Sequence, residues 1–301
     1  MDRALSTDPK PSSLNGGFFA FHGVWAPGVR LFRKLSFAAK AGLISATFVV
    51  PLVVLAWFFY GNLATQIDFS SKERLGVEYN RALAPLIDGG QRWRAAADAG
   101  SLRDSLDAAA SKLAALETQM GDTLGTRKLH GEMVQALQAL KAAPAAQTAA
   151  AGDTFVKAAA ALLAQATDGS NLTLDPDIDS YYLMDGSLFR LPDLIDQTAQ
   201  LRDLVAAVAA KGQATPEQME RMGALGAILE YMDINLAGGL DKTLGLRPAM
   251  KTVLAADQAR QQVKQLRDLS AKVMKAGTDR PDTQALRRAG DEAVAGLVTL
   301  Q

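Results

Sequence analysis

The sequence predicts an all-α protein in which one transmembrane helix precedes an extracytoplasmic antiparallel bundle of long helices. One observation is an uncharged apolar stretch of membrane length near the N-terminus, Ala41–Tyr60. A second is the pattern of the remaining chain, where Ala- and Leu-rich segments repeat apolar residues at helical spacing. Short Gly, Pro and Asp signals separate these segments, and no strand alternation or hairpin dipeptide stands out.

The apolar stretch Ala41–Tyr60 has the dimensions of a bilayer. Its twenty residues, rising about 1.5 Å each, cover roughly 30 Å, the thickness of the hydrocarbon core. Pro51 lies at its centre, as in many membrane helices, and the aromatic cluster Trp57–Tyr60 suits the headgroup layer. A buried helix of a soluble domain is the alternative, and the length argues against it. We therefore assign residues 41–63 to a transmembrane helix.

The charges that flank this stretch predict its orientation. Four basic residues lie between positions 30 and 40, and no acidic residue occurs between Asp8 and Asp68. Basic residues stay in the cytoplasm, so the N-terminus is expected inside and the bulk of the chain in the periplasm. A cleaved signal peptide has an apolar run of only about 7–15 residues, which is too short for this stretch. We expect an uncleaved signal anchor that crosses the inner (cytoplasmic) membrane once.

Composition excludes several classes of function. The chain has 32 basic and 32 acidic residues; six basic and two acidic residues fall in the first forty, so the remainder carries a net charge of −4. No basic face for nucleic acid stands out. Without cysteine there are no disulfides, thiolate metal sites or cysteine nucleophiles, and two isolated histidines have no metal-ligand spacing. We expect no enzymatic activity, no metal and no cofactor.

Three regions follow from these patterns: a mostly disordered cytoplasmic tail (1–40), the membrane helix (41–63) and a periplasmic helical bundle (64–301). Within the third, a kink is expected at Pro85 and a break near 121–127. Helix starts are expected at the following sites: Asp153 as the cap of a helix from Thr154, Asp175-Pro176, Thr215-Pro216 with a capping box to Gln218, Arg247-Pro248 and Arg280-Pro281.

Two stretches carry a family resemblance. They are FSSKERLGVEYNRALAPL (Phe69–Leu86), named here the first motif, and NLTLDPDIDSYYLMD (Asn171–Asp185), the second motif. In this order after a single signal anchor, they resemble the N-terminal sensor part of bacterial transmembrane methyl-accepting chemotaxis proteins with helical ligand-binding domains. Some sensor histidine kinases and diguanylate cyclases share such input domains. The resemblance covers roughly residues 30–301.

The resemblance implies a homodimer in the inner membrane whose outer bundle binds a small-molecule ligand. Binding would shift helices by about 1–2 Å and transmit the shift through the membrane in chemotaxis signal transduction. It also implies a cytoplasmic output domain, which these residues do not include, so we expect the sequence to belong to a longer receptor. The alternatives are an input domain of a kinase or cyclase, and a membrane-anchored structural or interaction bundle without a ligand.

The second motif also indicates a site by its residue spacing. On a helix from Pro176, helical spacing brings five residues to one face: Ile178, Tyr181, Tyr182, Asp185 and Phe189. Asp185 would then point into the bundle, where an unpaired charge costs several kcal/mol and needs a donor. Arg94, Arg81 and Arg190 are the candidates for that donor.

Arg94, Tyr181, Tyr182 and Asp185 are accordingly the candidate ligand-binding residues. The alternative is an internal polar network that fixes the register of the helices, since buried polar groups serve both roles. An acidic calcium loop at DPDID is disfavoured, because the stretch lacks the glycine and the distal glutamate of such loops.

Overall fold

The computed structural model describes residues 25–95, 100–275 and 282–301, and the secondary structure of this part of the chain is helical, without strands. The all-α prediction is therefore confirmed. The helices are α1 (Ala26–Lys34), α2 (Phe37–Ala95), α3 (Gly100–Leu124), α4 (Arg127–Ala142), α5 (Thr148–Gly169), α6 (Ile178–Met184), α7 (Leu191–Lys211), α8 (Pro216–Leu246), α9 (Lys251–Leu254), α10 (Ala256–Met274) and α11 (Thr283–Leu300).

The segment before the apolar stretch is more helical than expected. Residues 1–24 of the expected tail lie outside the described residues, but α1 covers Ala26–Lys34 and α2 begins at Phe37. Residues 26–34 and 37–40 are therefore helical, and the disorder expected for most of the tail stays a prediction. Arg33 and Lys34 occupy the last turn of α1, where positive charge interacts favourably with the helix dipole.

Helix α2 is 59 residues long and continues through both Pro51 and Pro85. The kink that Pro85 suggested does not end the helix, although a proline inside a helix removes one backbone hydrogen bond. Among the described residues, this one helix is long and apolar enough to cross a membrane; its most apolar window has a mean hydropathy of 2.2 and is not buried. The chain divides into two compact units between Ile67 and Asp68, within α2.

The unit that begins at Asp68 contains two hydrophobic cores. The first is built from the end of α2 with α3, α4 and α5, and its largest fully buried side chains include Tyr79 and Phe155. The second is built from α7, α8, α10 and α11, around residues such as Leu201 and Leu266. Each core is lined by apolar residues that recur at helical spacing, as expected for helices that bury one face.

Several helix ends follow the local sequence. Thr215 accepts a hydrogen bond from the backbone N–H of Gln218, whose side chain accepts one from the N–H of Thr215, so the capping box is confirmed. Gly212 ends α7 with a φ of 74°, a left-handed conformation that glycine adopts without strain. The break between α3 and α4 at Gly125, with a φ of 67°, confirms the interruption expected near 121–127.

Other helix starts differ from the prediction. Helix α5 begins at Thr148, so Asp153 lies inside it and does not cap it. The second motif enters its helix at Ile178 rather than Pro176, because Asp175 accepts a hydrogen bond from the N–H of Asp177 in a local turn. Between Arg247 and α10 lie a 3-10 turn, the short α9 and Ala255, which has a φ of 44°. The start expected at Arg280-Pro281 lies outside the described residues.

A π-helical segment, Asp185–Arg190, joins α6 to α7. The chain thus remains helical from Ile178 to Lys211, with one wider turn inside it. Such turns are rare and occur frequently at functional sites. This segment packs against α5, α6, α7 and α8, so it lies where the two cores of the unit approach each other.

Candidate functional site

Arg94, in the last turn of α2, pairs with two acids from other helices. Its Nη1 donates to Oδ1 of Asp153 in α5 at 2.9 Å, and its Nη2 lies 2.8 Å from Oδ1 of Asp196 in α7. The side chain is only 9% exposed. Burial lowers the pKa of Arg94, but the two carboxylates outweigh this and leave the pKa raised. Arg94 therefore ties the first core to the second and makes no contact with Asp185 in the structure.

The cleft beside Arg94 is lined by many charged side chains, most of which already have partners. Its volume is about 950 Å³, and five arginines and three aspartates line it: Arg92, Arg94, Arg202, Arg221, Arg287, Asp153, Asp203 and Asp291. Arg202 pairs with Asp203 and Asp291, and Arg221 donates to the side chain of Gln200. Because most of these charges already have partners, the arrangement matches an ion-pair network better than an open anion site.

Tyr181 and Tyr182 stack edge to face with ring centroids 5.3 Å apart. The ammonium of Lys242 in α8 donates to the phenol oxygen of Tyr182 at 2.6 Å and lies 4.4 Å from the centre of its ring. Tyr182 thus joins α6 to α8, whereas Tyr181 is 36% exposed and Ile178 is more exposed still. The face that these residues were expected to share is not central to the bundle.

Asp185 is paired within its own segment. Nε of Arg190 donates to Oδ2 of Asp185, five residues earlier, and both residues belong to the π-helical segment. Five-residue spacing places side chains above one another in a π-helix, as four-residue spacing does in an α-helix. Of the three donors considered for Asp185, the structure therefore uses Arg190. The four candidate residues do not converge on one point.

The two motifs do converge, however. Between α2 and the helix that runs from α6 into the π-helical segment lies a cleft of about 660 Å³, named here the motif cleft. Its lining residues come mainly from the first motif, the second motif and the π-helical segment: Val77, Asn80, Arg81, Ala84, Pro85, Asp88, Leu172, Asp175, Ser180, Leu183, Met184, Ser187, Leu188, Val298 and Gln301. Ligand pockets in proteins have this size and this mixture of apolar walls with a few polar groups.

Asn80 is the buried polar group of the motif cleft. It is only 1% exposed, and its Nδ2 donates to Oγ1 of Thr167 in α5 at 2.9 Å. Its Oδ1 is buried and has no hydrogen-bond partner among the described residues. A buried acceptor without a partner costs free energy.

Acidic groups gather near one side of the motif cleft. Asp175 lines the cleft. The pKa of Glu73 is raised, mainly because Glu73 is partly buried and further because the carboxylates of Asp175 and Asp177 lie nearby. Arg81 also lines the cleft but is exposed and makes no ion pair with any described residue. Asp88 is held by Arg92, 3.4 Å away.

A second buried polar cluster, which the sequence prediction missed, lies in the first core. Oε2 of Glu117 accepts hydrogen bonds from the hydroxyl groups of Tyr79 at 2.6 Å and Thr126 at 2.8 Å. Burial, followed by the hydrogen bond to Glu117, raises the pKa of Tyr79, so its hydroxyl remains a donor. The signal was present in the sequence, because Glu117 lies four residues after Leu113 and three before Met120, on the buried face of α3.

Within the described ranges, no group of three or more His, Asp or Glu side chains is arranged to hold a metal ion. The comparisons with known proteins add no family. No protein-family model matches the chain, and neither a curated protein nor a solved structure does.

Proposed function

We propose that the chain is a membrane-anchored sensor module that binds a small molecule in the motif cleft. The convergence of the two motifs carries this proposal. They are separated by more than eighty residues of sequence, yet both line one cleft, whose walls are largely apolar and include the buried Asn80.

The proposed module lies in the inner membrane, with its N-terminus in the cytoplasm and an antiparallel bundle in the periplasm. The exposed apolar stretch of α2 and the basic residues between positions 30 and 40 support this arrangement. The two motifs resemble those in the sensor part of methyl-accepting chemotaxis proteins. The proposed module therefore belongs to a homodimeric chemoreceptor and serves chemotaxis. In the alternative, the same module is the input domain of a sensor histidine kinase or a diguanylate cyclase, and only the output domain differs.

The π-helical segment suggests how binding would produce a signal. A π-helical turn contains one extra residue, so a ligand that contacts Ser187 and Leu188 can favour one of two registers of this helix. Helix α2 contains both a wall of the motif cleft and the apolar stretch. A shift of about 1–2 Å between α2 and the π-helical segment would therefore act on the membrane helix, as in other helical receptors.

A thermal-shift screen of the full chain in nanodiscs tests ligand binding. The screen covers amino acids, organic acids, small inorganic anions and uncharged aromatic compounds. A matched variant, Ala84→Phe, fills the motif cleft, and Ala227→Phe adds the same ring on an exposed face of α8. We expect a compound that raises the melting temperature of the native chain and of Ala227→Phe but not of Ala84→Phe. If no compound does so while the chain remains folded, the structural-bundle alternative is favoured.

Labelling of introduced cysteines tests the orientation. The chain has no native cysteine, so Ser12→Cys and Ala227→Cys each report one position without background. In intact cells with a permeabilised outer membrane, a membrane-impermeant maleimide should label residue 227 and leave residue 12 unlabelled until the cells are lysed. The reverse pattern would place the bundle in the cytoplasm and contradict a periplasmic sensor.

A further inference from the structure

We propose that helix α1 lies in the headgroup layer of the membrane and binds anionic phospholipids through its basic face. The inference concerns a surface that ligand sensing does not use, and it rests only on the membrane-anchoring part of the proposed function. Four features carry it: the opposite faces of α1, the exposure of its apolar side chains, its separation from α2, and its short distance from the apolar stretch.

Helix α1 has a basic face and an apolar face. The basic residues follow one another at helical spacing: Arg30, Arg33 and Lys34. Three uncharged residues repeat this spacing two positions earlier: Gly28, Leu31 and Phe32. Two positions correspond to a rotation of about 200° around a helix, so the two faces are opposite. A helix of this kind binds at a bilayer surface through its apolar face and through attraction of its basic face to anionic lipids.

The large apolar side chains at and beside α1 are exposed. Trp25, which precedes α1, is 77% exposed, Leu31 is 66% exposed, and Phe37, the first residue of α2, is 87% exposed. Removing such side chains from water is favourable, and tryptophan, phenylalanine and leucine are typical of the membrane side of interfacial helices. The membrane surface would therefore cover side chains that the described part of the chain leaves open.

Helix α1 is separate from the helix that follows it. Leu35 has an extended backbone with a ψ of 144°, which ends α1. The hydroxyl of Ser36 then accepts a hydrogen bond from the N–H of Ala39 at the start of α2. Nζ of Lys40 lies 5.7 Å from the centre of the Phe32 ring, so the two helices contact each other across the break. The chain thus changes direction, as it must where a helix along a surface precedes one that crosses it.

The distance from the apolar stretch matches the thickness of the headgroup layer. Four residues of α2, Phe37–Lys40, precede Ala41 and rise about 6 Å. The headgroup layer on each side of a bilayer is about 5–8 Å thick. No acidic residue occurs between Asp8 and Asp68, so the sequence places no negative charge near this surface. Basic residues alone would serve orientation, but orientation does not require the apolar face.

A spin label on the apolar face of α1 tests its depth. The chain has no native cysteine, so Leu31→Cys carries a single nitroxide in the full chain. The protein is placed in nanodiscs of phosphatidylcholine alone or of phosphatidylcholine mixed with phosphatidylglycerol. Collision with oxygen and with a water-soluble nickel chelate gives the ratio of embedded to aqueous label. We expect embedded label in the anionic nanodiscs and mostly aqueous label in the neutral ones. The label is the same in both, so its own hydrophobicity cancels.

Charge removal tests the basic face. In the labelled chain, Arg33→Gln with Lys34→Gln should lower the ratio in anionic nanodiscs by about 25-fold, because each basic residue near an anionic surface contributes about fivefold. High salt should act in the same direction, since it screens the attraction. The matched control, Lys72→Gln with Arg74→Gln, removes two charges on the other side of the apolar stretch and should leave the ratio unchanged.

A second label, at Val50→Cys near the centre of the apolar stretch, separates the outcomes. If this label is embedded and the label at residue 31 is aqueous in every lipid, the inference fails alone. Equal embedding of residue 31 in neutral and anionic nanodiscs, or no effect of the paired glutamine changes, would also overturn it. If the label at residue 50 is aqueous, the membrane anchor fails together with the inference. A ligand screen without a hit contradicts only the sensor.

Discussion

Nη2 of Arg94 lies 2.8 Å from Oδ1 of Asp196, and this ion pair joins α2 to α7. The side chains are 9% and 18% exposed, so water stabilises neither charge fully. Nη1 of Arg94 binds Asp153 in α5. One guanidinium therefore connects helices of both cores, and its loss would leave Asp196 partly buried without a cation.

Arg94→Ala should lower the free energy of unfolding by about 2–3 kcal/mol, because removing one partner of a buried pair strands the other charge. The measurement is urea unfolding of the full chain in nanodiscs. Arg92→Ala is the matched control: its pair with Asp88 is 3.4 Å long and exposed, so the change should stay within about 0.5 kcal/mol. Equal effects of the two variants would show that Arg94 does not tie the cores together.

Tyr79→Phe should destabilise the first core by about 1–3 kcal/mol. The change removes one of the two hydroxyl donors to the buried carboxylate of Glu117 and leaves the packing of the ring intact. Tyr231→Phe is the same substitution on a side chain that is 70% exposed, and it should be neutral. Unfolding curves of both variants provide the comparison, and a neutral Tyr79→Phe would contradict the role of this hydrogen bond.

Local chemistry accounts for the parts of the fold that were predicted correctly. Thr215 and Gln218 satisfy each other's backbone groups within four residues, and Gly212 supplies a left-handed conformation, so no distant residue is needed. The all-α class follows from the same kind of information, the helical repeat of apolar residues.

The site was harder to predict because it depends on contacts between distant segments. The π-helical turn at Asp185–Arg190 rotates the residues that follow it, so the face drawn from Ile178 to Phe189 on a regular helix does not exist. Asn80 carries no local signal at all. Its hydrogen-bond partner is Thr167, 87 residues away in the sequence, which accepts from its amide and leaves Oδ1 unpaired.

His130 should make stability fall in mild acid. Burial lowers its pKa from the ordinary 6.5, an effect that the negative charge of Glu117 partly offsets and the positive charge of Arg127 reinforces. The unfolded chain then binds the proton more readily than the folded chain, so stability is present above about pH 6.5 and is lost as the pH falls below it. The melting temperature should therefore drop between pH 7.5 and pH 5.5.

The variant His130→Gln isolates this contribution, because every other titrating group remains. Its melting temperature should fall less than that of the native chain over the same pH range. Parallel decreases in the two proteins would assign the acid sensitivity to other groups.

Gly169 and Gly223 should respond in opposite directions to the same substitution. A Cβ on Gly169, at the end of α5, would lie 2.1 Å from the carbonyl oxygen of Leu124, a backbone atom that cannot move without displacing the end of α3. We expect Gly169→Ala to cost about 1–3 kcal/mol through overpacking. A Cβ on Gly223 in α8 would meet nothing within 4 Å, so Gly223→Ala should stabilise the chain by about 0.5–1 kcal/mol through its helix preference. Urea unfolding of the two variants measures both changes, and destabilisation by Gly223→Ala would indicate that this exposed face of α8 is covered in the assembled protein.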